Sequence, residues 1–94
     1  MNVLFSEEAR LVITELEQFV EEKNTVGSGK RFTTKFKQRI LDYSKVQVHL
    51  PCKFPLFLKR KLFCFILNDW IVAYEVQSNH FIVRTIIHGS LLDY

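Results

Sequence analysis

Chemistry in this 94-residue chain would have to come from a short set of side chains. Lys59-Arg60-Lys61 is a run of three cations, and with Lys53 nearby it forms the best candidate patch for binding a target or a nucleic acid. His88 carries an imidazole, a side chain type that can serve as a general base near pH 7, although a histidine at a strand end before Gly89 more often has a structural role. Arg84 is the one cation after residue 61; its planar fork suits bidentate binding of a phosphate, or pairing with Glu75 on the neighbouring strand. His49-x-x-Cys52 could be half of a metal site, but no second close-spaced pair of ligands completes it, and no metal or cofactor is expected. Gly27-Ser28-Gly29-Lys30 invites comparison with a phosphate loop, yet that motif needs Gly where Asn24 stands and Ser or Thr where Arg31 stands, and no strand leads into it. It reads instead as a connection between helices in which Ser28 or Gly29 caps the second.

The elements that must position these residues follow from hydrophobic period. Asn2 to Phe5 is a short strand, and Ser6 is placed to cap a helix whose first turn carries Glu7 and Glu8, charges that suit the positive end of a helix dipole. Ala9, Val12, Ile13, Leu16, Phe19 and Val20 recur at three- and four-residue steps and predict one buried face. Asn24 to Gly29 is a break rich in turn formers. A second helix is predicted from Lys30 to Tyr43, buried along Phe32, Phe36, Ile40 and Tyr43, and the short connection makes the two an antiparallel hairpin. Residues 44–57, with Pro51 and Pro55, are expected to form a loop. From there the period is two. Strands are predicted over Leu58 to Leu67, Trp70 to Gln77 and His80 to His88, joined by the two-residue turns Asn68-Asp69 and Ser78-Asn79. Alternation would send Lys59 and Lys61 to one face and Arg60 to the other, and would set Phe81, Val83, Thr85 and Ile87 against Ile82, Arg84, Ile86 and His88. Tyr74 shares a face with Trp70, Val72 and Val76 and is expected in the core.

The order is β-α-α-β-β-β, an α+β fold with a helical hairpin on one face of a sheet that contains an antiparallel meander. Leu62 to Leu67 is apolar on both faces, and two helices cover only one side of a sheet. The other side must be covered by the 44–57 segment, by the C-terminal tail or by another chain.

Composition sets the wider bounds. Hydrophobic residues make up 48% and include 9 Phe, which suits a packed globule of one domain over residues 1–94. The longest apolar run is too short to span a bilayer, and the first eight residues lack the basic stretch of a signal peptide, so a cytoplasmic location without membrane partners is expected. Cys52 and Cys64 are read as free thiols in a reducing compartment, Cys64 as a small core residue. The net charge of +3 conceals a polarised chain: residues 1–29 carry −4, residues 30–61 carry +9 and residues 62–94 carry −2. A concentration of cations of that kind suits a polyanion or an acidic protein surface as partner.

Trp70-Ile71-Val72-Ala73-Tyr74-Glu75-Val76, a two-residue turn, and Phe81-Ile82-Val83-Arg84-Thr85-Ile86-Ile87-His88-Gly89 together resemble the closing hairpin of the RelE/ParE toxin superfamily. Phe5-Ser6-Glu7-Glu8-Ala9 is similar to that family's passage from first strand to first helix. The resemblance covers almost the whole chain, and its force lies in joint order and spacing more than in any one motif. It implies the toxin of a type II toxin–antitoxin pair, neutralised by a cognate antitoxin in a heterotetramer or larger assembly. Members of the superfamily either cut messenger RNA on the ribosome or poison DNA gyrase by binding. Cleavage by 2′-OH attack needs a base, a cation beside the developing charge and an acid for the leaving group. Nucleases of the superfamily supply these mainly with Arg, Lys and a C-terminal Tyr. Where an Arg is common in them this chain has Ile71, and after Gly89 it has Ser90-Leu91-Leu92-Asp93 instead of basic residues. The resemblance thus leaves Arg60, Lys61, Arg84 and Tyr94, with His88 beside them, as the candidates for catalysis. These departures favour a ParE-like toxin that binds gyrase or a related target. A ribosome-dependent ribonuclease and a non-toxic antitoxin-binding module are the alternatives. The tail also departs from the common ParE-like ending in Arg-Asp.

Overall fold

The computed structural model describes residues 2–46 and 48–91, the side chain of Leu56 excepted. The chain forms β1 (Asn2–Phe5), α1 (Glu7–Lys23), α2 (Ser28–Tyr43), α3 (Pro55–Lys59), β2 (Phe63–Leu67), β3 (Trp70–Gln77) and β4 (His80–His88), then a 3-10 turn over Gly89–Leu91. The four strands make one sheet in the order β1-β4-β3-β2, with β1 parallel to β4 and the other pairs antiparallel. This is the expected α+β fold, with one short helix added. Among the described residues no helix is long and apolar enough to cross a membrane.

α1 and α2 lie on one face of the sheet. Ala9 and Ile13 from α1 and Phe36 and Ile40 from α2 meet Phe65, Leu67, Val72, Tyr74, Phe81, Val83 and Ile86. Phe32 and Tyr43 pack at the margin, as the helical period predicts. Phe19 does not: it is 58% exposed, on the part of the α1 stripe that the core leaves uncovered. The helices approach closely at Gly29, where an added Cβ would lie 2.2 Å from the Glu17 carbonyl oxygen. α2 begins at Ser28, earlier than predicted, and its cap is Gly27 at φ 84°, a left-handed conformation open to glycine without strain.

The chain itself covers part of the second face. Cys52, Phe57 and Leu62 are buried against Ile71 and Ala73, with Phe54, Cys64 and Ile87 beside them. Two sequence expectations are corrected here. The strand predicted from Leu58 begins only at Phe63; Pro55 instead starts the short α3, where its fixed φ and missing N–H suit a first helical turn. Cys52 and Cys64 are not free thiols but are joined in a disulfide with Cα atoms 4.8 Å apart. The pairing of Pro51 with Phe63 brings the two cysteines together, since the Cys52 N–H donates to Leu62 and the Cys64 N–H to Leu50. That contact joins residues far apart along the loop, so local period carried no sign of it.

The predicted alternation of β4 is also corrected. Tyr74 pairs with Val83 but Ala73 pairs with Thr85, so Arg84 is an extra residue in a β-bulge. Beyond it the faces exchange: Ile86 joins the helix-side core and Ile87 the other. The bulge removes the Arg84 carbonyl from regular pairing, and Ser6 answers for it. Its hydroxyl donates to that carbonyl at 2.6 Å, accepts from the Ala9 N–H at 3.1 Å as the cap of α1, and its own N–H donates to Val83. Ser6→Ala removes the cap and leaves the carbonyl without its partner. It is expected to lower stability by about 1–2 kcal/mol, read as a shift of the urea midpoint with an unchanged slope.

Candidate functional site

The basic segment forms a small lobe on the second face of the sheet. Lys53 follows the buried Cys52, Lys59 ends α3, Arg60 is its C-cap, and Lys61 sits at φ 58°. All four are exposed, and the left-handed turn at Lys61 returns the chain to the sheet so that Leu62 can bury. Because the segment is helix and turn, the predicted alternation of Lys59 and Lys61 against Arg60 does not arise. The lobe presents exposed point charges, which suits ionic contact with a partner.

The catalytic candidates are scattered. Arg84 spends its guanidinium on Glu75: its Nε donates to Glu75 Oε1 at 2.7 Å and its Nη2 contacts the same oxygen. This is the sole ion pair among the described residues. His88 stands at the far end of β4, where its Nδ1 accepts from the Ser90 N–H at 3.2 Å and lies 2.8 Å from the Ser90 hydroxyl. Its ring meets the edge of Trp70 at 5.1 Å. With Nδ1 occupied as an acceptor, the neutral ring carries its proton on Nε2. Tyr94 lies outside the described residues, as do Leu92 and Asp93. The half metal site dissolves too: His49 Nδ1 shares a hydrogen bond of 2.8 Å with the Tyr74 hydroxyl, and Cys52 is in the disulfide. Tyr74 is fully buried, as expected, and burial pushes its phenol well above the usual range, with Tyr43 adding to the shift.

A feature that the sequence alone did not single out is an apolar groove of about 480 Å³ between α1 and the end of the sheet. Val12, Leu16, Phe19, Trp70, Ile86 and Leu91 line it, with Glu15 and His88 at its margin. Its one sequence signal was that the stripe on α1 is broad enough to outrun its cover. No protein-family model and no curated protein sequence matches the chain. A solved structure described as the chromosomal ParDE toxin–antitoxin system from P. aeruginosa contains a chain that superposes with a TM-score of 0.74. The match spans 94% of this chain and 95% of that one at 9% identity. The likeness is one of fold.

That fold likeness leaves the Gly27-Ser28-Gly29 turn to be explained, and the structure accounts for it from within. The Glu21 carboxylate accepts from the Gly27 N–H at 2.8 Å and from the Gly29 N–H at 3.0 Å, so the anion at the start of α2 is the protein's own. These bonds, with Arg31 nearby, hold the Glu21 carboxyl below its ordinary range. A lowered folded value means that the contribution is complete above the unfolded glutamate pKa of about 4.3 and is lost as the pH falls through the folded value. Glu21→Gln is therefore expected to be less stable than the parent at pH 7, with the gap narrowing as the pH falls below the unfolded glutamate value. Urea midpoints across an acid pH series check this; a gap that does not depend on pH would contradict it.

Proposed function

We propose that this chain is a single toxin domain, residues 1–94, of a type II toxin–antitoxin pair, closest in kind to ParE-like toxins and working in the cytoplasm. The observation that carries the proposal is the agreement of fold with a ParDE chain over nearly the full length of both. The antitoxin is taken to cover the apolar groove on α1, since Leu16, Phe19 and Trp70 offer a contiguous surface that the chain leaves partly open.

We take the toxin to act by binding, with gyrase or a related target as its object, and without cleaving RNA. Three features support binding over cleavage. Arg84 is already paired with Glu75. The Nδ1 lone pair of His88 is engaged by Ser90. Ile71 is buried in the second core and offers no cation. The exposed Lys53, Lys59, Arg60 and Lys61 are then the contact surface for the target.

Expression without the partner is expected to arrest growth, and co-expression of a small neighbouring antitoxin gene to restore it. The purified toxin is expected to inhibit supercoiling by gyrase. Cleaved transcripts during the arrest would instead establish the ribonuclease alternative, and harmless expression would reduce the chain to an antitoxin-binding module. Phe19→Glu changes an exposed residue and should leave the fold intact while weakening co-purification with the antitoxin at least tenfold, as a lost interface anchor of about 1.4 kcal/mol or more would do.

A further inference from the structure

The disulfide has no part in the proposed function, yet its position bears on it. Cys52 opens the basic lobe and Cys64 lies on β2, so the bond closes a loop with a sequence separation of 12. Lys53, Lys59, Arg60 and Lys61 all fall inside that loop. Without the bond the lobe is held by modest means. Among the described residues its buried side chains are Cys52, Phe57 and Leu62, its backbone tie to β2 is the short bridge around Pro51, and Leu50 and Leu58 are exposed. The helix-side core, by contrast, unites β2, β3 and β4 with both long helices and contains none of the lobe.

We propose that Cys52–Cys64 is a reversible thiol–disulfide exchange site, open to a dithiol reductant, that clamps the basic lobe to the sheet when oxidised and releases it when reduced. The two cysteines differ in exposure: Cys52 is 2% exposed, whereas Cys64 is half-buried. A reductant thiolate attacks the Cys64 sulfur, and Cys52 leaves as a thiolate and takes up a proton. The second thiol of the reductant then attacks the mixed disulfide and frees Cys64, which is protonated in turn. Two electrons and two protons pass to the protein, and the dithiol ends as its own disulfide. Reoxidation by a disulfide such as oxidised glutathione reverses the sequence. In a reducing cytoplasm a cysteine pair of this kind is a transient feature and not a permanent staple. The clamp itself stands on geometry; its reduction in the cell rests on the cytoplasmic setting of the toxin proposal, as does its effect on target binding.

Thiol titration and amide hydrogen exchange on the intact protein test the clamp, with dithiothreitol as the reductant. The protein isolated without reductant should titrate no thiols, and two after dithiothreitol. Exchange at the amides of Cys52, Leu58 and Leu62 should then quicken at least tenfold, while α1, α2 and β3 keep their protection and oxidised glutathione restores the slow rates. The C52S/C64S double variant should exchange like the reduced protein and ignore dithiothreitol. Two titratable thiols without reductant, exchange in the lobe that is indifferent to reduction, or loss of protection throughout the chain would each overturn the proposal. A charge-reversed lobe (K59E/R60E/K61E) that still inhibits the target would refute the assigned target surface and leave the exchange result standing.

Discussion

Strand β3 buries Val72 and Tyr74 on one face and Ile71 and Ala73 on the other, none of them more than 2% exposed. Leaving either face to water would forgo about 1.5–3 kcal/mol for each large aliphatic or aromatic side chain, and two helices can cover only one. The connection from α2 to β2 resolves this by passing around the edge of the sheet. His49 packs on Phe63 and Tyr74 at the helix-side face, Pro51 pairs with Phe63 at the edge, and Cys52, Phe57 and Leu62 bury on the opposite face. The crossing also meets a polar need. The fully buried Tyr74 hydroxyl would be costly unpaired, and His49 gives it a partner.

A second constraint comes from the bulge at Arg84. One extra residue re-aims the end of β4, sending Ile86 to the helices and leaving Arg84 beside Glu75. Ser6 then ties the start of α1 to the bulge, so that the helix hairpin, the parallel strand β1 and the irregularity of β4 share one hydroxyl group. The same geometry bears on function. An arginine held by a neighbouring glutamate contributes more to the register of the sheet than to the capture of a phosphate.

The polar and apolar surfaces left open are of different kinds. The groove along α1 is lined by aliphatic and aromatic groups and suits a partner that brings apolar side chains. The lobe offers exposed cations with no carboxylate partner among the described residues.

The sequence by itself determined the order and type of the main elements, because each shows its period over a short span: Ala9, Ile13, Phe36 and Ile40 at helical steps, Val72, Tyr74, Phe81 and Val83 at steps of two. It also determined the Ser6 cap and the two tight turns, where Asn68 and Ser78 adopt positive φ. Only the tertiary structure decided what lies across gaps in the chain. The Cys52–Cys64 bond and the capture of Gly27 and Gly29 by Glu21 depend on residues brought together by folding. The bulge at Arg84 is the clearest case: a one-residue slip leaves the pattern of β4 apolar on both sides either way, so periodicity could not register it. The same holds for the site. The basic residues were legible as a cluster, but whether a given cation is free, like Lys59, or engaged, like Arg84, was decided by its neighbours in space.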